Sequence, residues 1–119
     1  MKSVEMYRNS SNEMSGRFLY QNKFEGEITT NIGEMASLEL LDASENMLSG
    51  MLPEGLGDLA TLKSLNLFEN RLSGEIPASI AELTLLKSLK LFDNSLTGKI
   101  PPKLGSKNSL KSSIYLKTN

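Results

Sequence analysis

The stretch SLNLFENRLSGEIP, Ser64 to Pro77, returns as SLKLFDNSLTGKIP, Ser88 to Pro101, 24 positions further along the chain. The same step of 24 extends to both sides of this pair. Because chance does not hold four residue types in phase, the chain is a tandem array of one structural unit. The series in phase are Asn22, Asn46, Asn70 and Asn94; Gly26, Gly50, Gly74 and Gly98; Leu38, Leu62, Leu86 and Leu110; and Pro53, Pro77 and Pro101.

The repeated unit reads L-x-x-L-x-L-x-x-N-x-L, and a period of about 20 to 29 residues with this pattern is the signature of a leucine-rich repeat solenoid. In the third unit, Leu65 and Leu67 alternate with other residues, which predicts a short strand whose leucines point inward. Asn70 then turns inward, where its amide both donates and accepts hydrogen bonds. Gly74 permits a backbone turn that other residues resist.

These patterns predict an α/β solenoid with short parallel strands on the concave face and 3-10 or irregular helical turns on the convex face. Asn22, Asn46, Asn70 and Asn94 would form a buried ladder of hydrogen bonds to loop backbone. The predicted core repeats as Leu38, Leu41, Ala43, Leu48, Leu52, Leu56 and Leu59, then Leu62, Leu65, Leu67, Leu72, Ile76, Ile80 and Leu83.

The phase of the repeats divides the chain into three parts. Residues 1–13 are expected to form an irregular leader, polar and rich in Ser and Asn. Residues 14–109 contain four repeats of 24 residues each, and residues 110–119 begin a fifth, incomplete one. We expect the chain to self-associate through uncapped solenoid ends, which expose core and strand edges.

Composition narrows the possible functions. A net charge of -1 gives no electrostatic reason to bind nucleic acid. The chain has no cysteine and no histidine, so it lacks disulfides, thiolate chemistry and the commonest metal ligand and general base. We therefore expect no catalytic residues, no cofactor and no metal; acid pairs such as Glu69 with Asp93 are interpreted as solvated charges. The leader lacks an apolar segment typical of a signal peptide, and we expect no direct membrane insertion.

The outward positions of the concave strands form the candidate ligand site. One column of these positions reads Tyr20, Ser44, Phe68 and Phe92, an interrupted aromatic row on a face that a simple solvated sheet would make polar. Exposed aromatic residues beside polar and charged groups are typical of recognition surfaces. The alternative explanation is that phenylalanine is simply common at this position in this type of repeat. The predicted binding residues are Asp42, Ser64, Asn66, Phe68, Ser88, Lys90 and Phe92. Asn9, in Asn9-Ser10-Ser11, is the candidate glycosylation site.

The segment LSGEIPASIAEL resembles the plant-specific leucine-rich repeat. The segments LLDASENMLSG, SLNLFENRLSGEIP and LKLFDNSLTGKIPPKLG together resemble part of the ectodomain of HAESA-type leucine-rich repeat receptor-like kinases. This resemblance implies a solenoid on the extracellular side of the plasma membrane that binds peptides, and a parent protein that carries a membrane-spanning helix and a Ser/Thr kinase domain. Neither is evident in this chain, so the compartment of the chain as expressed stays open.

Three functions are compatible with the sequence. The first is a fragment of a plant receptor-like kinase ectodomain that recognises a peptide or protein ligand, or a co-receptor, through the concave face. The second is a free-standing leucine-rich repeat inhibitor or decoy that resembles polygalacturonase inhibitors. The third is an ice-binding solenoid, for which Thr29 and Thr30 are the main hint.

Overall fold

The structure, a computed structural model, describes residues 16–18 and 23–105. Pairs of short strands alternate with 3-10 helices along the described residues, and one short α-helix closes the described region. The eight strands are β1 Gly16–Phe18, β2 Glu25–Glu27, β3 Leu40–Asp42, β4 Met47–Met51, β5 Ser64–Asn66, β6 Arg71–Glu75, β7 Ser88–Lys90 and β8 Ser95–Thr97. The helices are η1 Thr30–Glu34, η2 Glu54–Asp58, η3 Ala78–Glu82 and α1 Pro102–Gly105.

The first strand of every repeat joins one parallel sheet with the order β1-β3-β5-β7, here called the concave sheet. Its register places Leu41 opposite Leu65 and Leu65 opposite Leu89, one full repeat apart. All three leucines are fully buried. The parallel strands on the concave face are therefore confirmed, with the leucines inward as period-two alternation requires.

A second parallel sheet, with the order β2-β4-β6-β8, was absent from the sequence prediction. We call it the lateral sheet. Its register pairs Ser49 with Arg71 and Gly50 with Leu72, so residues 22 positions apart lie opposite each other and equal positions of successive repeats are offset by two residues.

Glycine lies inside the lateral strands because its backbone there has positive φ. Gly50 and Gly74 have φ values of +79° and +78°, a region that L side chains rarely adopt. A side chain of the preceding repeat also lies across each glycine. A Cβ at Gly50 would lie 2.6 Å from Glu27 Cγ, and one at Gly74 would lie 3.0 Å from Met51 Cγ.

The convex side consists of the three 3-10 helices, as predicted, together with α1. Thr29 caps η1 by accepting a hydrogen bond from the Asn31 N–H, whereas η2 and η3 follow Pro53 and Pro77. Proline presets the extended backbone that precedes these helices. Every residue of the predicted core is buried, and it forms one continuous cluster.

The asparagine ladder forms hydrogen bonds to loop backbone, as predicted, but it is less buried than expected. Asn46 is 8% exposed, whereas Asn70 and Asn94 are only partly buried. Each of Asn70 and Asn94 donates to carbonyls of its own and the preceding repeat and accepts an N–H of the preceding repeat. Asn22 lies outside the described residues, as do residues 1–13 and 110–119 of the predicted leader and fifth repeat.

In the described ranges, no helix is long and apolar enough to cross a membrane.

Candidate functional site

The register of the concave sheet groups the predicted binding residues into rows that run across the repeats. Asp42, Asn66 and Lys90 lie opposite one another on β3, β5 and β7. Ser64 and Ser88 form a neighbouring row. Lys90 is exposed and the other four residues are partly buried. The structure thus brings these five predicted residues together on one face.

Phe68 and Phe92 follow β5 and β7 and stack on each other. Their ring centroids are 4.7 Å apart and the rings deviate from parallel by only 10°. Both side chains are partly buried. Neighbouring parallel strands are about 4.8 Å apart, so the stack follows directly from placing phenylalanine at the same position of adjacent repeats. The two rings form a flat apolar surface beside the polar rows.

Ser44 is buried rather than exposed, contrary to the prediction. Its side chain is only 2% exposed, and its Oγ donates to Asp42 Oδ1 at 2.7 Å. The Ser44 N–H donates to the same oxygen at 3.1 Å. Asp42 Oδ1 therefore closes a local side-chain turn that engages both the N–H and the hydroxyl of the serine. Tyr20, the remaining member of the column, lies outside the described residues, as does Asn9.

Asn66 contains an unusual acceptor at the centre of its row. Its Oδ1 is buried and has no hydrogen-bond partner within the described structure. Burying an acceptor without a partner is unfavourable, so this atom favours any arrangement that supplies a donor. The residue lies between Asp42 and Lys90 in the register.

A row of acids at the end of the concave strands was missed as a site. Glu45, Glu69 and Asp93 each precede a ladder asparagine and have φ values of 56°, 57° and 56°. Desolvation, the charge of Glu45, a side-chain hydrogen bond with Glu45 and the charge of Asp93, in that order, raise the pKa of Glu69 above its ordinary value of 4.5. The three acids, here called the acidic row, therefore crowd like charges at one edge of the face. The sequence signal was the recurrence of an acid directly before Asn46, Asn70 and Asn94.

Basic residues lie at the opposite ends of the same strands. Lys63 Nζ lies 3.1 Å from Glu39 Oε1, an ion pair in which both side chains are about half exposed. Lys87 takes the equivalent place in the next repeat, since its N–H donates to the Lys63 carbonyl. Basic residues therefore precede β5 and β7, where Glu39 offsets Lys63, and the exposed Lys90 ends β7. No group of three or more acidic residues in the described ranges is arranged to hold a metal ion.

Comparisons with known proteins agree with this architecture. The family described as Leucine Rich Repeat matches residues 37–59, 61–83 and 85–113. Among curated proteins, no match to the chain is found.

Solved plant structures are also similar to the chain. The plant peptide hormone receptor RGFR1, in complex with RGF2, is 33% identical with a TM-score of 0.77, and the match covers 83% of this chain and 16% of that one. The Arabidopsis receptor kinase HAESA, in complex with the peptide hormone IDA and the co-receptor SERK1, is 48% identical with a TM-score of 0.70 and coverages of 74% and 15%. A plant ice-binding protein is 38% identical with a TM-score of 0.67 and coverages of 79% and 30%. These matches confirm the solenoid fold and the resemblance to plant receptor kinase ectodomains.

Proposed function

We propose, because the chain belongs to the leucine-rich repeat family, that it is a recognition segment of a plant receptor-like kinase ectodomain, without catalytic activity of its own. Its ligand would be a peptide or protein held by the concave sheet, and a co-receptor is a further candidate partner. The similarity to RGFR1 and HAESA, both solved with peptide hormones, supports the proposal. The matches span 16% and 15% of those receptor chains, so the parent's ligand and its extracellular position are part of the proposal.

The observation that carries this proposal is the Phe68–Phe92 stack on the outward side of the concave sheet. Aromatic residues are enriched where proteins recognise partners, because a rigid apolar surface is gained at little cost in side-chain entropy. The partly buried polar residues Ser64, Asn66 and Ser88 lie on the strands that lead to the two phenylalanines. They supply the hydrogen bonds that fix the register of a bound peptide.

The size of this surface sets the expected affinity. An extended peptide that crosses the strands meets a new strand about every 4.8 Å. Three described strands, β3, β5 and β7, contribute predicted binding residues. Such a surface is smaller than a standard interface of about 800 Å² per partner, so we expect weak binding by this segment alone.

Ice binding has one supporting observation, the similarity to a plant ice-binding protein. A face that binds ice needs hydroxyls in a regular array. In the lateral sheet, Ser49 lies opposite Arg71 and Met51 lies opposite Ser73. Ser49 and Ser73, which are equivalent residues of successive repeats, therefore do not lie opposite each other. Thr29 is followed by Pro53 and Pro77 at its repeat position, which leaves no threonine column. The geometry therefore favours peptide recognition. No structural feature favours the inhibitor or decoy over the receptor segment.

Selection from a random-peptide library displayed on phage tests the proposed function, with RGF2 and IDA peptides added as defined members. The immobilised chain is compared with Phe68→Ala and with Leu85→Ala. Leu85 is a matched control because its side chain is 44% exposed and lies outside the concave sheet. We expect enriched peptides to lose binding to Phe68→Ala and to keep it with Leu85→Ala. Equal binding to all three proteins would refute recognition by the concave face.

An assay of ice recrystallisation separates the alternative function. We expect the chain to leave ice grain growth unchanged at concentrations at which the peptides bind. Inhibition of grain growth together with an absence of enriched peptides would reverse the order of the two proposals.

A further inference from the structure

The acidic row lies directly beside the aromatic stack. Phe68 is followed by Glu69 and Phe92 by Asp93, and both acids are exposed. Their left-handed backbone conformation lies at the turn that ends each concave strand. The Glu69 N–H donates to the Phe92 carbonyl at 3.1 Å, so the acid of one repeat is fixed to the aromatic residue of the next. Charge and aromatic surface thus belong to one patch.

The carboxylates of this patch have no basic partner in the part of the chain that the structure describes. The ion pairs found there are Lys63 with Glu39 and Lys103 with Glu82, both outside the acidic row. Desolvation, followed by the proximity of Glu45 and the charge of Asp93, raises the pKa of Glu69. A cation placed over the row would relieve this crowding.

We propose that the concave face takes an extended cationic peptide, with a Lys or Arg side chain against Glu69 and Asp93 and beside the stacked rings of Phe68 and Phe92. This inference rests on the proposed function and names the class of ligand. A cation near an aromatic face is attracted to its negative ring surface, and a guanidinium also fits the two oxygens of a carboxylate.

The spacing of the acidic row defines the expected ligand more closely. Glu45 and Asp93 belong to repeats that are two strand positions apart, or about 9.6 Å at a spacing of 4.8 Å per strand. Residues i and i+2 of an extended peptide point the same way and are about 6.7 Å apart. This separation lies between the one-strand spacing of about 4.8 Å and the two-strand spacing of about 9.6 Å, so long Lys or Arg side chains at i and i+2 can reach two acids of the row.

The sequences of the enriched peptides test this inference. We expect Lys and Arg to be enriched at alternate positions of the selected peptides, next to an apolar residue. A synthetic peptide made from an enriched clone, and its counterpart with Gln in place of Lys and Arg, are then titrated against the wild-type chain at low and high salt. The counterpart should bind more weakly, and the difference should shrink at high salt because exposed charges are screened.

A double variant of the chain tests whether the basic residues of the peptide contact the acidic row. Glu69→Gln combined with Asp93→Asn should weaken binding of the synthetic peptide about 10-fold, since each exposed ion pair contributes a few-fold. The matched control is Glu54→Gln, because Glu54 is an exposed acid on the convex helix η2. This control should bind like the wild type.

Each outcome separates this inference from the function on which it rests. The cationic ligand would be overturned if the enriched peptides lacked basic residues, lost binding to Phe68→Ala and bound the Glu69→Gln, Asp93→Asn variant as well as the wild type. That result would leave the concave site in place. Equal weakening by Glu54→Gln and the acid variant would also overturn it. The proposed function itself would be refuted if peptides bound Phe68→Ala as strongly as the wild-type chain, or if no peptide were enriched from the library.

Discussion

Replacing Asn70 by alanine tests the ladder that joins the repeats. Asn70 Oδ1 accepts the Leu48 N–H at 2.9 Å. Its Nδ2 donates to the carbonyls of Ala43 at 3.0 Å, Leu67 at 3.0 Å and Phe68 at 3.3 Å. The side chain thus joins two successive repeats through four hydrogen bonds, and the variant removes all of them.

The magnitude depends on which groups lose their last partner. The Ala43 carbonyl keeps the amide of Asn46, the Leu67 carbonyl keeps the amide of Asn94, and the Phe68 carbonyl keeps the Glu45 N–H. Only the Leu48 N–H loses its acceptor. Leu48 lies in β4, and its side chain is fully buried. One buried unsatisfied donor costs about 1–3 kcal/mol.

Urea unfolding followed by circular dichroism measures this cost. For a slope of about 2 kcal/mol per molar urea, we expect the midpoint to fall by about 1 M without a change in slope. Asn66→Ala is the control, because it makes the same truncation at an amide whose Oδ1 has no partner. The control should lose little or no stability. If both variants unfolded at the same urea concentration, the reasoning about orphaned groups would be refuted.

Three further predictions follow. Gly74→Ala should lower the free energy of unfolding by about 1–2 kcal/mol, since φ is +78° and the new Cβ meets Met51; an unchanged urea midpoint would contradict this. The pKa of Glu69 is raised on folding, so ionisation of Glu69 disfavours the folded state. The Glu69→Gln variant should therefore be more thermally stable than the wild type as pH rises above 4.5, and should show no such difference well below that pH. Sedimentation velocity should reveal concentration-dependent self-association, because β7 and β8 are the last strands of their sheets among the described residues; a constant monomer mass would contradict it.

The core and the ladder were predictable because each depends on one repeated residue type. Leu65 is buried in β5 for the reason that the alternation predicted, and Asn70 bonds to loop backbone as its amide requires. The same spacing that revealed the repeat also fixes the pairing, since β3, β5 and β7 align one repeat apart. Sequence periodicity therefore suffices for one sheet.

The lateral sheet was not predictable by the same route. Three of its four described strands, β2, β4 and β6, contain a glycine with positive φ, and glycine in a short polar run indicates a turn when the sequence is considered locally. Its register of 22 residues differs from the period of 24, so the repeat does not reveal the pairing. The burial of Ser44 was not predictable either, because alternation predicts an exposed side chain whereas the Ser44 hydroxyl donates to Asp42 Oδ1 and the residue is 2% exposed.

The candidate site was predictable in its residues but not in its shape. The column of Phe68 and Phe92 was evident in the sequence, whereas their stacking depends on the exact distance between adjacent strands. The acids before the ladder asparagines were evident too. Their left-handed conformation, and the desolvation and like charge that raise the pKa of Glu69, emerge only when the repeats are stacked.

Two residues of the acidic row are not of the type that their backbone conformation favours. A left-handed conformation costs a residue with a Cβ roughly 1–2 kcal/mol, and asparagine, aspartate or glycine tolerates it best. Asp93 meets this preference, but Glu45 and Glu69 do not. Glycine or asparagine at position 69 would also remove the crowding of like charges that raises its pKa. Folding therefore gives no reason for glutamate at this place, which supports the proposed role of Glu69 in binding a cationic peptide. The turn that holds Asn70 also carries the exposed Glu69, so the ladder and the proposed binding surface use neighbouring residues of the same turn.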